Sequence, residues 1–350
     1  MIKTDGGEMP GKRATLADVA RLAGLSTTAA SMILNDRPDT RLSQAAHDRV
    51  HAAAQALGYR PNVAARSLRT DKTHTIGFIS DHVATTRFAS GLIQGAIESA
   101  EAADHVLLVL ETGGEPARES AAIGAVLDRQ VDGIVFASMR ARELVVPDLP
   151  AGLPVVMLNA TSPRHLTSVL PDETLGGRVA VRSLIERGHR DGIALIGQND
   201  EVERDAFRSV TVSRRVAGVR DELAAHGLTF LAEESVWLWE PEGGYAATTG
   251  LLERDLPITA LLCMNDRLAF GAYQALADAG LSVPGDVSVI GFDNDEVAAY
   301  LRPGLTTMAL PHIPMGRRAV ELLLHPAEAG EHLIEMPLVK RSSIAEPRIA

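Results

Sequence analysis

From His74 onward the chain alternates short apolar runs rich in β-branched residues with longer amphipathic stretches of helical period, and no other feature constrains its fold as much. The runs are THTIGFIS, HVLLVLE, DGIVFAS, PVVMLNA, GIALIG, TALLCMND and VSVIGFD. Between most of them lie segments such as GLIQGAIESAEAA, RESAAIGAVLDRQ, TLGGRVAVRSLIERG, RRVAGVRDELAAHG and RLAFGAYQALADAG. A strand that is apolar throughout must be covered on both faces, and a helix between successive strands brings the chain back so that they run parallel. The pattern therefore predicts a mostly parallel sheet with helices on both faces, in a segment long enough for two such sheets. In that architecture ligands bind outside the carboxyl ends of the strands. The residues there are Ser80, Asp81 and His82; Ala137 and Ser138; Asn159; Gln198; Asn265 and Asp266; and Asp293 and Asn294.

The preceding residues have a different character. In TLADVARLAGLSTTAASMILN, Leu16, Val19, Ala20 and Ala23 recur at helical spacing behind Thr15, a capping residue type. Gly24 and Leu25 interrupt the pattern. Ser26 then opens a second helix with Ala30, Ile33 and Leu34 facing inward and Thr27, Thr28, Ser31 and Met32 facing out. Two short helices joined by a tight glycine turn are the sequence form of a helix-turn-helix, whose second helix fits the DNA major groove. A three-helix module that only packs or mediates protein contacts is the alternative. Ser43 caps a third helix whose Ala46, Val50, Ala53, Ala54 and Leu57 complete a small core, ended by Gly58-Tyr59-Arg60-Pro61. The chain thus divides into a polar arm at 1–13, a helix-turn-helix domain at 14–60, a linker at 61–73 and an α/β body at 74–350. The stretch Asn62–Arg69 is helix-forming but too short to be stable alone, so it is either a plain linker or a segment that folds on docking.

Composition decides between partners. With 350 residues and 46% hydrophobic content, two or three packed domains are expected. A net charge of -11 argues at first against nucleic acid. Through Thr75, however, eleven lysines and arginines face seven acids, leaving +4 on that segment and -15 on the remainder. A basic module on an acidic body can hold phosphates while the body is kept off the duplex. The single cysteine, Cys263, lies inside LLCM and reads as core filling. No apolar run approaches a membrane span and MIKTDGGEMPGKR lacks the apolar core of a secretory signal, so a cytoplasmic protein is expected. There is no Gly-x-Ser-x-Gly, Walker or His-Glu-x-x-His motif to support catalysis. His47 and His51 are one turn apart without a further ligand nearby, and neither a metal nor a cofactor is expected.

TLADVARLAGLS, LGYRPNVAARSL, LIERGHRDGIALIG, RRVAGV, CMNDRLAFGAYQAL, VPGDVSVIGFDN and LRPGLTTM together resemble the lactose-repressor (LacI/GalR) family of transcriptional regulators over nearly the whole chain. The resemblance implies an all-α helix-turn-helix headpiece, a hinge helix at 61–73 and an α/β two-lobed domain of the periplasmic-binding-protein type with parallel sheets. It also implies a homodimer reading a pseudo-palindromic operator in double-stranded DNA. ISDHVATTRFASGLIQGA, ETGGEP, LDRQVDGIVFASM and LPHIPMGRRAVELL are most similar to regulators assigned to sucrose or related glycosides. AEPRIA ends the chain without a leucine heptad, so a dimer rather than a coiled-coil tetramer is expected.

Carried over position by position, the resemblance makes Thr27 and Thr28 the base readers, with Met32 one turn on offering only apolar contact. Thr15 and Ser26 stand at the helix starts near phosphates, and Ser31 and Asn35 match phosphate-contacting or structural positions. Asn62 opens the hinge, where Leu68 matches the minor-groove wedge with Ala65 beside it. The implied small-molecule pocket takes Asp81, His82, Thr85 and Phe88 from the first lobe and Asn159, Arg215, Trp239, Asn265 and Asp293 from the second. Carboxylate, amide and guanidinium groups suit sugar hydroxyls, and Trp239 can stack on a ring. Each residue has a plain structural alternative: Arg215 an exposed ion-pair partner, Asp293 and Asn294 a turn, Trp239 a core aromatic. A purine or other non-sugar effector on the same architecture would need aromatic faces on both sides of a flat ring, which leaves mainly Phe88 and Trp239. A solute-binding protein or enzyme without DNA activity is disfavoured by the basic headpiece.

Overall fold

A computed structural model of the chain describes residues 14–35, 42–60, 72–199, 205 and 208–348. The chain divides into two compact units, Met1–Thr73 and His74–Ala350. The arm expected at 1–13 and most of the hinge expected at 61–73, with Asn62, Ala65 and Leu68, lie outside the described residues.

In the first unit, helices α1 (Leu16–Ala23), α2 (Thr27–Leu34) and α3 (Gln44–Ala56) enclose Val19, Ala20, Ala23, Ala30, Ile33, Ala46, Val50, Ala53 and Ala54. Thr15 and Asp18 form a reciprocal capping box: the Thr15 hydroxyl accepts the Asp18 N–H at 3.3 Å and the Asp18 carboxylate accepts the Thr15 N–H at 3.0 Å. Gly24 ends α1 at φ 68°, a left-handed conformation that other residues adopt at a cost. Ser26 caps α2 by accepting the Ala29 N–H at 3.1 Å. Two expectations fail here. Ser43 occupies the N-cap position of α3, but its side chain makes no capping hydrogen bond. Leu57 is 37% exposed instead of buried, because α3 stops at Ala56 and Leu57 is already the cap residue ahead of Gly58.

The second unit is built on two six-stranded sheets. The first has the order β11-β5-β4-β3-β1-β2, from β1 (Thr75–Ser80), β2 (Val106–Glu111), β3 (Gly133–Glu143), β4 (Val155–Thr161), β5 (Ser168–Pro171) and β11 (Glu331–Ile334). The second has the order β12-β10-β9-β8-β6-β7, from β6 (Ile193–Gln198), β7 (Ala232–Ser235), β8 (Ala260–Cys263), β9 (Ser288–Asp293), β10 (Thr306–Ala309) and β12 (Leu338–Val339). Every pair is parallel except β10 with β12. The helices are α4 (Ser90–Ala102), α5 (Pro116–Asp128), α6 (Glu173–Ile185), α7 (Val212–Ala225), α8 (Pro241–Leu252), α9 (Asp266–Asp278), α10 (Glu296–Tyr300) and α11 (His312–Leu324). Residues 171–173, 309–312 and 334–338 carry the chain between the lobes.

Strand alternation explains the cores. In the first lobe Ile76, Phe78 and Val135 face one side with α4 and α11, while Ile79, Ile134 and Phe136 face the other with α5. In the second lobe Ile193–Ile196, Leu261, Leu262 and Ile290 are covered on both faces. Both sheets reverse strand order beside their first strand, between β1 and β3 and between β6 and β8, which opens a crevice at the carboxyl ends there. Seven strands follow the apolar runs of the sequence; β5, β7, β10, β11 and β12 do not. Each of those five is four residues or shorter, and β7 (AEES) and β11 (EHLI) carry charges on exposed edges. No helix among the described residues is long and apolar enough to cross a membrane.

Candidate functional site

On the headpiece, Thr27 and Thr28 are exposed at the first two positions of α2. Ser31 and Asn35 are bonded to each other: the Asn35 amide donates to the Ser31 carbonyl at 2.6 Å and reaches its hydroxyl at 3.4 Å. Met32, expected to face out, is half-buried. His47 and His51 belong to no metal-ligating cluster among the described residues.

In the first lobe of the body, Asp81 follows β1 and its carboxylate is fully engaged. It accepts the His82 N–H at 2.6 Å, the Ser138 hydroxyl at 2.7 Å, the Met139 N–H at 2.8 Å and an Arg142 guanidinium N–H at 3.1 Å. Burial would raise its pKa, but these donors together hold it below the usual carboxylate value. Asn159, expected from the second lobe, belongs to the first, because β4 pairs with β3 in the first sheet; it is likewise consumed, its amide donating to the Ser138 and Met139 carbonyls at 2.9 and 3.1 Å. The two residues flank an irregularity between Ala137 and Arg142, where β3 shifts register against β4. Ala137, Ser138 and Asn159 therefore lie inside strands that run on to Glu143 and Thr161, and do not follow strand ends as expected. His82 is exposed, and the Thr85 hydroxyl turns back onto the His82 carbonyl at 3.2 Å. Phe88 is 36% exposed and stands edge-on to His312, with ring centroids 5.1 Å apart.

In the second lobe Arg215 is buried within α7. Its guanidinium makes two 2.7 Å bonds to Glu173 and one of 2.5 Å to the Met264 carbonyl, over the Phe292 ring at 4.3 Å. The exposed ion pair considered from sequence is thus a buried bidentate one. Asn265 caps α9, accepting the Leu268 N–H at 2.8 Å, and donates to the Trp239 carbonyl at 3.1 Å. The indole N–H of the half-buried Trp239 donates to the Gly197 carbonyl at 2.9 Å, so the residue is held through its ring and, by Asn265, through its main chain. Asp266 accepts the Thr307 hydroxyl at 2.6 Å and the Asp295 N–H at 2.8 Å.

Asp293 differs from all of these. It ends β9 at φ 101° with a side chain 14% exposed, and its carboxylate makes no hydrogen bond among the described residues. Its closest cation, the Arg215 guanidinium, is 3.8 Å away and already committed to Glu173. Burial pushes its carboxyl up to about 7, opposed by Arg215 and reinforced by Glu173 and Asp295. Asn159 at φ 50° inside β4, Gly197 at φ 106° near the end of β6 and Asn294 at φ 54° just after β9 add further left-handed backbone. Such conformations gather where a scaffold holds a site in place. Glu173 and Arg142 were not anticipated. Glu173 opens a helix, where an acid is unremarkable by sequence, and Arg142 sits beyond an irregularity that the apolar run DGIVFAS does not reveal.

The chain matches a family model described as bacterial regulatory proteins, lacI family, over residues 15–62, and one described as a periplasmic binding protein-like domain over residues 181–344. It is 32% identical to the HTH-type transcriptional repressor PurR of Vibrio campbellii (strain ATCC BAA-1116), over 91% of this chain and 93% of that one. It is 32% identical to the ribose operon repressor of Escherichia coli (strain K12), over 89% of this chain and 92% of that one. A crystal structure of the lac repressor dimer bound to operator and the anti-inducer ONPF superposes with a TM-score of 0.72 at 26% identity, covering 95% of this chain and 100% of that one. These relatives bear the names of PurR and ribose repressors and not of sucrose-type regulators.

Proposed function

The chain belongs to the lacI family of bacterial regulatory proteins and is a DNA-binding transcriptional repressor with an effector-binding domain, not an enzyme; from that premise we propose that its effector is a sugar, sucrose or a related glycoside, held at the strand ends of residues 74–350. The observation that carries the reading is Asp293, a carboxylate held without a hydrogen-bond partner at the carboxyl end of β9. A sugar presents hydroxyl donors to such an acceptor, and the half-buried Trp239 beside Asn265 offers a ring on which its apolar face can rest. The ribose operon repressor among the relatives supports the class. Arg215, Asn265, Asn159 and Asp81 act in this reading by holding the site, since their polar groups are engaged with the protein.

In this proposal the protein works as a homodimer in the cytoplasm, with Thr27 and Thr28 at base edges of a pseudo-palindromic operator and Leu68 wedged at its centre. Effector bound between the lobes changes their relative rotation and so the affinity for DNA; a compound preferring the low-affinity state is an inducer, one preferring the other a corepressor. Thermal stability of the purified chain against sucrose, other di- and monosaccharides, and purines tests the class. A ligand at 100 times its dissociation constant adds about 2.7 kcal/mol. A shift with one sugar, lost in Asp293→Ala, is the expected result. A shift with purines alone replaces the sugar reading by a purine one, which Phe88 and Trp239 would have to sandwich.

A further inference from the structure

β1, β2 and β3 run parallel, so the residues ahead of them gather at one pole of the first lobe, away from the carboxyl ends of the strands. His74 precedes β1, His105 precedes β2 and Asp132 precedes β3. The proposed effector site uses none of them. Asp132 braces the first residues of the body: its carboxylate accepts the His74 N–H at 2.8 Å, and its own N–H donates to the Thr75 carbonyl at 2.8 Å. His74 stands there at φ 53°, a left-handed conformation that costs energy in any residue but glycine and persists only where the surroundings hold it. The His105 side chain lies beside this brace, 8% exposed, with the His74 ring 5.0 Å away. Its Nδ1 is 2.7 Å from the Ala103 carbonyl, which can only accept, so Nδ1 carries a proton. Its Nε2 is buried with no hydrogen-bond partner among the described residues, 3.4 Å from the same Asp132 oxygen that holds His74. With Nδ1 occupied, a neutral ring turns a bare lone pair toward a carboxylate, acceptor against acceptor, at a buried position where an unmet acceptor is costly. One proton on Nε2 converts that contact into a cationic donor facing an anion. The other charged or titratable groups around it are His74, whose Nδ1 is 3.8 Å from the Asp104 carboxylate, Glu101 and Asp104 exposed at the end of α4, and Lys72 and Arg129, exposed beside His74 and Asp132 in the chain.

We infer that His105 and Asp132 form a proton-operated latch at the point where the linker enters the body, and that DNA affinity follows its state. Proton uptake at Nε2 draws Asp132 onto the imidazolium and fixes the brace on His74; loss of the proton releases it. Residues 61–73 join the DNA-binding unit to His74, so a fixed body end leaves the linker less freedom to lose when the headpiece docks, and affinity is higher in acid than in alkali. This control needs no effector. Glutamine sets an amide donor where Nε2 lies without taking up a proton; asparagine keeps the donor toward Ala103 and leaves nothing at Nε2.

The test is the affinity of the full-length chain for a duplex selected from a random library, by fluorescence anisotropy without effector and at constant ionic strength, at about pH 8 and about pH 6, the range over which an imidazole takes up its proton. The proteins are the parent, His105→Gln and His105→Asn. His105→Asn carries any slope that His47, His51 and other groups contribute, and the other two are read against it. The parent is expected to match it within about twofold at the higher pH and to bind at least about threefold more tightly at the lower, whereas His105→Gln binds more tightly at both. A ratio of parent to His105→Asn that does not change with pH overturns the inference, as does a His105→Gln protein that follows His105→Asn. Nitrogen-15 spectra of the parent alone give a check that no variant's folding can spoil. Nδ1 of His105 is expected to stay protonated throughout while Nε2 gains a proton as the pH falls; a bare Nδ1, or an Nε2 unchanged across the range, overturns the latch.

Discussion

Asp293 is the carboxylate left without a hydrogen bond among the described residues at the end of β9, and its raised pKa makes effector binding depend on pH. An effector hydroxyl donates more strongly to the ionised carboxylate than to the neutral acid. With the carboxyl raised to about 7, affinity should climb with pH, level off above that value and fall below it by at most about tenfold per unit. Asp293→Asn should bind weakly and without this profile, which calorimetric titration across about pH 5.5 to 8.5 would show. The sign for stability is the reverse. A carboxyl whose folded value lies above its unfolded one contributes stability in acid that is lost as pH rises through about 7. Glu173 is the other sensitive residue, since it neutralises Arg215 in the interior. Glu173→Ala leaves a buried unpaired guanidinium and should destabilise the protein by roughly 3–5 kcal/mol in urea unfolding, whereas an exposed pair would lose under 1. Asp293 and Asn265 were legible in the sequence because strand-end residues are exposed by the alternation itself. The engagement of Arg215 with Glu173, 42 positions away, and of Asp81 with Ser138, 57 positions away, was not, because no periodicity encodes a partner chosen by tertiary packing.

At the scale of elements, three helix pairs share one device. α4 crosses α11 at Gly95 and Gly316, α6 crosses α7 at Gly177 and Gly218, and α8 crosses α9 at Gly244 and Gly271. At each of these glycines a Cβ would come within 1.9–2.3 Å of a backbone carbonyl oxygen on the facing helix. Relief requires moving backbone, not a side chain. Gly218→Ala should therefore lower stability by roughly 1–3 kcal/mol, although alanine is the better helix former by about 1 kcal/mol in isolation. The same change at Gly124, where a Cβ meets nothing within 4 Å, should be neutral or stabilising in the same thermal melts. The capped first helix, its glycine stop and the long strands could be read directly, since each is specified within a few residues. The short strands β7, β11 and β12 form only because a neighbouring strand offers its edge, and the irregularity in β3 is bonded by Asp81, just after β1, and by Asn159 on β4.

For the molecule as a whole, the sequence already showed a basic N-terminal segment and an acidic body, and the described chain separates at Thr73 and His74 into two units. Within the body, the lobes are joined by more than the connecting segments. Arg214 on α7 grips Glu331 on β11, Arg87 reaches Glu296 on α10 at 2.6 Å, and the Val210 N–H donates to Ala141 at 2.7 Å. These exposed ion pairs contribute little stability each, so the relative position of the lobes is open to a ligand worth a few kcal/mol. A donor-rich small molecule at Asp293 should therefore alter DNA binding. The direct measurement is the affinity of the full chain for a duplex selected from a random library, by fluorescence anisotropy, with and without the compound that stabilises the protein. The account predicts a change of roughly 5- to 150-fold, absent in Asp293→Ala, which still binds the duplex. A duplex affinity unmoved by a compound that demonstrably binds, or an Asp293→Ala protein that responds as the parent does, would contradict it.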